Sequence, residues 1–268
     1  MRSALDRVTI SPPFLVLRRW PRVIQYRVLG STELVRRTSD DVPRLLERPK
    51  RLALLTYLLV ARPRGFHRRD HLLALFWPEL RDARARHGLR QALYELRREL
   101  GPVIAVRGAH DVGVVPGTVW CDAVAFDEAI AECDLARAVQ LYRGDLLGGL
   151  SVRSASVEFQ DWLDRERSGY RDQAARAACG LAERAAADGN PSSAVRWARR
   201  AAGLTPLDEA VLSRSLMLYR HLGYRAAAES LYREYARRLH ADLALVPSTK
   251  VESLIRTIRN SGGTARVR

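Results

Sequence analysis

DARARHGLRQALYELRRELGP, residues 82–102, reads as one amphipathic helix with two chemically opposite faces. At about 100° per residue, Ala85, Leu89, Ala92, Leu93, Leu96 and Leu100 fall on one narrow stripe. Arg84, His87, Gln91, Tyr94 and Arg98 point the other way, with Arg90 and Arg97 on a flank. Such a helix buries leucine and presents arginine, glutamine and an aromatic ring outward, the shape of a DNA recognition helix. A solvated basic helix with no ligand fits the same pattern, so the flanking sequence has to decide.

Working outward, two more helices precede it. RPKRLALLTYLLVA predicts a helix from about Pro49 to Ala61, with Leu52, Leu55, Leu58 and Leu59 at helical spacing and a proline where the first turn tolerates one. Pro63-Arg64-Gly65 breaks it. A shorter helix is expected from about Arg69 to Phe76, closed by Trp77-Pro78. Before these helices, residues 23–35 carry the β-branched and aromatic content of a small hairpin around Gly30 and Ser31. After them, Val103–Val106 and Val112–Val115 form a second hairpin with a basic tip, Arg107-Gly-Ala-His-Asp111. Hairpin strands, three helices and a terminal hairpin follow the order of a winged helix of the response-regulator type. In that fold the second and third helices make the helix-turn-helix, and the last hairpin is the wing. His67 reads as a loop or capping residue.

The charge distribution agrees with a polyanion partner for the first half. Residues 1–120 hold 23 Arg and Lys against 11 Asp and Glu, a net +12, whereas residues 121–268 hold 22 against 19, a net +3. The only lysines are Lys50 and Lys250, so part of this arginine richness is a compositional habit of the whole chain. Cys121, Cys133 and Cys179 are far apart and lack CxxC spacing, which argues against a disulfide framework or a zinc site and for reduced, structural cysteines in a cytoplasmic protein. The apolar run Phe14–Leu17 is too short for a signal core or a membrane span, and residues 1–22 are expected to form a loose extension.

The second half has a different texture, rich in alanine and helical in period. Gly189 and Gly223 lie 34 residues apart, and at the same offset Ala182 matches Leu216, Ala185 matches Tyr219, Ala194 matches Ala228, and Trp197 matches Leu231. This is the period of tetratricopeptide repeats, in which small residues let paired helices approach and glycine closes the turn between them. A weaker unit comes earlier, where Phe126, Ala129, Ala138 and Tyr142 take equivalent places and Cys133-Asp134 stands where glycine is usual. A long helix is expected from about Val157, with Trp162 and Trp197 as core anchors. A generic helical bundle is the competing reading. The fold class is therefore mainly α: an α+β winged helix-turn-helix over residues 23–119, an all-α repeat domain over residues 120–260, and a disordered tail over residues 261–268.

RPKRLALLTYLLVARPRGFHRRDHLLALFWPELRDARARHGLRQALYELRRELG, followed by WCDAVAFDEAI, LYRGDLLGGL, FQDWLDRER and ADLALVPS, resembles the bacterial transcriptional activator domain (BTAD) proteins, including the antibiotic-regulatory-protein (SARP) type regulators. The likeness runs over about residues 25–259, with its motifs in order across both halves. It implies an OmpR-like winged helix joined to a tetratricopeptide-type domain, binding to tandem direct repeats of double-stranded DNA, contact with RNA polymerase holoenzyme, activation, and possible self-association on DNA. It implies no cofactor, no metal and no catalysis. Two departures stand out. The charged segment Arg36–Glu47 is long for a turn between early strands, and no GxxxxGK[ST] nucleotide-binding motif is present, as in a short stand-alone regulator or a truncated one.

Within this frame His87, Arg90, Gln91 and Tyr94 are expected to reach base edges, with Gln91 suited to adenine and Arg90 to guanine. Tyr94 also has the size and character of a core residue. Arg84, Arg86 and Arg97 suit phosphates. Lys50 and Arg51 at the first helix, and Arg68 and Arg69 entering the second, are candidate backbone clamps, because helix N-termini favour anions. Arg107 and His110 at the hairpin tip would enter or flank the minor groove. Glu95 on the flank would repel phosphate or accept from a cytosine amino group. The alternative function is a protein adaptor whose winged helix no longer reads DNA. An enzyme fits least, since no nucleophile motif or phosphate-cradling loop appears, and the carboxylates of DWLDRER alternate with arginines as on a solvated helix face.

Overall fold

The computed structural model describes residues 24–35, 44–152 and 155–260. The expected extension 1–22, the tail 261–268 and most of the charged segment 36–47 fall outside them. Among the described residues six short strands and ten α-helices follow in order.

Strand β1 (Ile24–Arg27) pairs antiparallel with β2 (Glu33–Val35), the expected hairpin. After a 3-10 turn (Arg44–Glu47) comes α1 (Pro49–Val60), which is apolar nearly all round and buried at eight of its twelve residues. Tyr26 is fully buried against it, with its hydroxyl donating to Leu52 O at 2.9 Å and lying 2.8 Å from the Thr56 hydroxyl, so the polar tip has partners inside the core. β3 (His67–Arg68) leads directly into α2 (Arg69–Phe76), and α3 (Asp82–Leu100) follows after the Trp77–Arg81 turn. β4 (Ile104–Arg107) and β5 (Asp111–Val114) form the wing, with β5 in the middle of a β3-β5-β4 sheet. Lastly β6 (Val119–Cys121) runs parallel to β1 and completes a β2-β1-β6 sheet.

Two details of this half correct the sequence reading. His67 is a strand residue, buried at 9% exposure and opposite Val112, rather than a loop or cap. Strand β6 lies where no strand was expected. Directly after it, the buried Asp122 carboxylate accepts from Val28 N at 2.8 Å and Leu29 N at 3.1 Å, stapling the sheet to the next helix. Burial raises the pKa of this carboxyl, although the two backbone donors act in the opposite direction.

The rest is helical: α4 (Asp122–Ala131), α5 (Leu135–Leu141), the long α6 (Val157–Ala187), α7 (Pro191–Leu204), α8 (Glu209–His221), α9 (Arg225–Leu243) and α10 (Thr249–Asn260). The 34-residue period is visible in hydrogen bonds. Between α6 and α7, Asn190 N donates to Ala185 O and Gly189 N to Ala186 O. Between α8 and α9, Tyr224 N donates to Tyr219 O and Gly223 N to Arg220 O, each partner shifted by 34. Gly189 and Gly223 both hold left-handed φ, +69° and +73°, which the turn requires. The α4/α5 turn repeats the pattern with Asp134 N on Ala129 O and Cys133 N on Ile130 O, and here the exposed Cys133 itself takes φ +57°. Of the three cysteines, only Cys121 and Cys179 are buried.

A continuous apolar core runs from the first sheet through α1–α3 into α4, α5, α6 and α7, and a second one joins the end of α6 to α10. At the junction Trp162 of α6 packs edge-on against Tyr57 of α1 at 4.7 Å, and Phe159 lies 4.8 Å from Phe76 of α2. Backbone bonds add to this: Ser156 N donates to Leu75 O at 2.8 Å, and Leu147 N to Val28 O at 2.7 Å.

Candidate nucleic-acid interface

Every residue of the predicted inner stripe of α3 is buried: Ala85, Leu89, Ala92, Leu93, Leu96 and Leu100. Gly88 stands within this helix for a steric reason. A Cβ there would lie 2.6 Å from the Trp77 indole nitrogen, so the glycine lets the helix seat against the turn that precedes it. On the opposite side Arg84, Arg86, His87, Arg90, Gln91, Tyr94 and Arg97 are all exposed. Tyr94 at 57% exposure belongs to the outer surface and not to the core.

The guanidiniums on this face are sparsely paired. Arg84 and Arg90 make no ion pair among the described residues, and Arg86 makes a long, exposed contact of 3.3 Å with Asp82. Arg97 donates to Ile104 O at 3.3 Å, tying the end of α3 to the wing.

Two clefts flank the helix. On the wing side a cleft of about 350 Å³ is lined by Arg69, Arg86, Arg90 and His110, with Asp70 at its edge. Arg69 N donates to His110 O at 2.7 Å, joining the start of α2 to the hairpin tip, while the buried Arg69 Nε has no hydrogen-bond partner among the described residues. At the tip, Arg107 pairs with Asp111 at 2.9 Å and lies over the half-exposed Phe66 ring at 4.6 Å. Arg68 is exposed on β3. On the other side a cleft of about 410 Å³ is bounded by Lys50, Arg51, Trp77, His87 and Gln91.

In that second cleft the two α1 cations are engaged within the protein. Lys50 Nζ donates to Phe76 O at 2.7 Å and sits 5.2 Å from the Trp77 ring centre, and partial burial lowers its pKa. Arg51 turns toward α3 and pairs with Glu95 at 2.6 Å, both side chains being mostly covered. Glu95 thus faces a guanidinium, an arrangement with no local sequence signal because its partner lies 44 positions away. Behind this surface, burial and the neighbouring His71 hold the His67 imidazole below the ordinary histidine pKa, while His71 Nε2 lies 2.8 Å from the Tyr57 hydroxyl. Among the described residues no three His, Cys, Asp or Glu side chains cluster as metal ligands, and no helix is long and apolar enough to cross a membrane.

Comparison with known proteins fits this architecture. The profile of the bacterial transcriptional activator domain matches residues 121–259, more than half of the chain. The chain belongs to the bacterial transcriptional activator domain family. Among solved structures, Mycobacterium tuberculosis EmbR in complex with a low-affinity phosphopeptide superposes with a TM-score of 0.63 at 19% identity. That likeness covers 89% of this chain and 65% of the EmbR chain, and at such identity it establishes the shared fold alone. No curated protein sequence matches. The chain spans about two thirds of the EmbR chain, and its own architecture is a winged helix followed by an all-α domain.

Proposed function

We propose that this BTAD-family regulator binds double-stranded DNA sequence-specifically through the outer face of α3 and activates transcription. The observation that carries the reading is that face itself. Arg84 and Arg90, unengaged by carboxylates among the described residues, stand beside His87, Gln91 and Tyr94 on a helix whose apolar stripe is fully buried. Arg90, Gln91, His87 and Tyr94 then meet base edges. Arg84, Arg86 and Arg97 meet phosphates, together with Arg68 and Arg69 at the start of α2. The wing tip with Arg107 and His110 takes the adjacent minor groove. In the same reading, residues 23–119 form the DNA-binding unit, and the repeat helices of residues 120–260 offer the surface for RNA polymerase and for a second copy on direct repeats.

The test is binding of the purified protein to the intergenic DNA upstream of its own gene and to random duplex, across about 50 to 200 mM salt. Tighter, footprinted binding to direct repeats is expected. Arg97→Ala weakens binding to all sequences alike and lowers the salt slope by about 1, whereas Gln91→Ala narrows the gap between specific and random DNA. Weak, equal binding that vanishes with salt would transfer the function to the helical repeats as a protein adaptor.

A further inference from the structure

On α3, one helical turn separates Gln91 from Glu95, and Gln91 Nε2 donates to Glu95 Oε1 at 2.9 Å. The same carboxylate is gripped from behind by Arg51 of α1, whose Nη2 donates to Oε1 at 2.7 Å and whose Nε lies 2.6 Å from Oε2. Arg51 and Glu95 are 18% and 16% exposed at the side chain, so this fork-on-fork pair is set into the protein, while Gln91 stands exposed in front of it.

We infer that Arg51 and Glu95 are positioning residues that fix the carboxamide of Gln91 in one of its two orientations, the one that reads adenine. The inference rests on the DNA-binding reading given above. Its chemistry is one of donors and acceptors. A carboxylate paired with a guanidinium accepts hydrogen bonds and donates none, so the amide edge turned toward Glu95 must be the NH2. An amide that spends its trans hydrogen there keeps its cis hydrogen and its carbonyl oxygen facing outward. Those two groups match the N7 acceptor and N6 donor that adenine shows in the major groove. A glutamine without such a backstop turns over freely and donates to guanine N7 or O6 as readily. The Arg51 side chain keeps Glu95 from swinging out toward phosphate, and it neutralises a charge that would otherwise repel DNA.

The experiment selects preferred duplexes from a random pool with the wild-type protein, then measures competition by all four base pairs at each position. Gln91→Ala identifies the position that Gln91 reads, with adenine preference there falling by roughly tenfold or more. Glu95→Ala is expected to flatten the same position, leave the other positions as they are, and keep the wild-type melting temperature within a few degrees. Glu95→Gln, which retains an acceptor oxygen, restores most of the preference. In the charge-neutral double variant Arg51→Met with Glu95→Gln the salt slope stays at its wild-type value. The inference is overturned if Glu95→Ala leaves the adenine preference intact, if it flattens all positions together, if Glu95→Gln behaves like Glu95→Ala, or if the double variant lowers the slope by about one, the mark of a phosphate grip. A wild-type protein with no sequence preference removes the DNA-binding reading itself, and this inference with it.

Discussion

Arginine stands in two different settings on the repeat helices and on the outer face of α3. In the helical half several arginines hold neighbouring carboxylates: Arg171 with Asp145, Arg214 with Glu183 at 2.8 Å, Arg225 with Glu229 at 2.9 Å, and both Arg237 and Arg238 with Glu234. On the outer face of α3, among the described residues, Arg84 and Arg90 have no carboxylate partner and Arg86 has only a long contact, while Arg98 at the helix end pairs with Glu99 at 2.7 Å. The net charge is +12 over residues 1–120 and +3 over residues 121–268. Exposed pairs contribute little stability each, but they cancel the field, whereas an unpaired row on one helix face sums its field outward. The same residue type is neutralised by nearby carboxylates at some positions and leaves an uncancelled positive field at Arg84 and Arg90.

That contrast can be broken by substitution. The largest effect is expected at Gly88, where an added Cβ meets the Trp77 ring at 2.6 Å. Gly88→Ala should cost about 1–3 kcal/mol of stability by denaturant titration, despite alanine's better helix propensity. A stabilised Gly88→Ala would show that α3 is not seated against this turn. Next comes Arg90→Ala, expected to lose about 1–3 kcal/mol of specific DNA binding with an unchanged melting temperature. Its counterpart Arg214→Ala should leave DNA binding unchanged and lower stability by less than about 1 kcal/mol. Equal effects of these two variants on DNA binding would erase the distinction between the halves. The smallest effect sharpens the repeat reading. Cys133 holds the left-handed position that Gly189 and Gly223 hold in the other turns, so Cys133→Gly should raise stability by about 1 kcal/mol, measured by thermal unfolding under reducing conditions.

What could be read from the sequence was whatever repeats within a few residues. The apolar stripe of α3 is buried at all six predicted positions, α2 begins and ends where the breakers place it, and the two glycines 34 residues apart close equivalent turns. Even the odd Cys133-Asp134 pair was visible as a glycine-like corner. Strand β6 was not, because three residues carry no period and their partners in β1 lie 95 positions earlier. Nor could His67 be recognised as a strand residue, since β3 is two residues long and exists only through β5.

The site divides in the same way. Helical periodicity, a local property of the backbone, determined from sequence alone which side chains of α3 face outward and which are buried. Tertiary structure decided what each outward group has beside it. Arg51 comes 44 positions before Glu95, and only the packing of α1 against α3 sets its guanidinium on the carboxylate that Gln91 also meets. Side-chain direction follows from bonds along the chain, whereas side-chain partnership follows from contacts across it, which no single stretch of sequence contains.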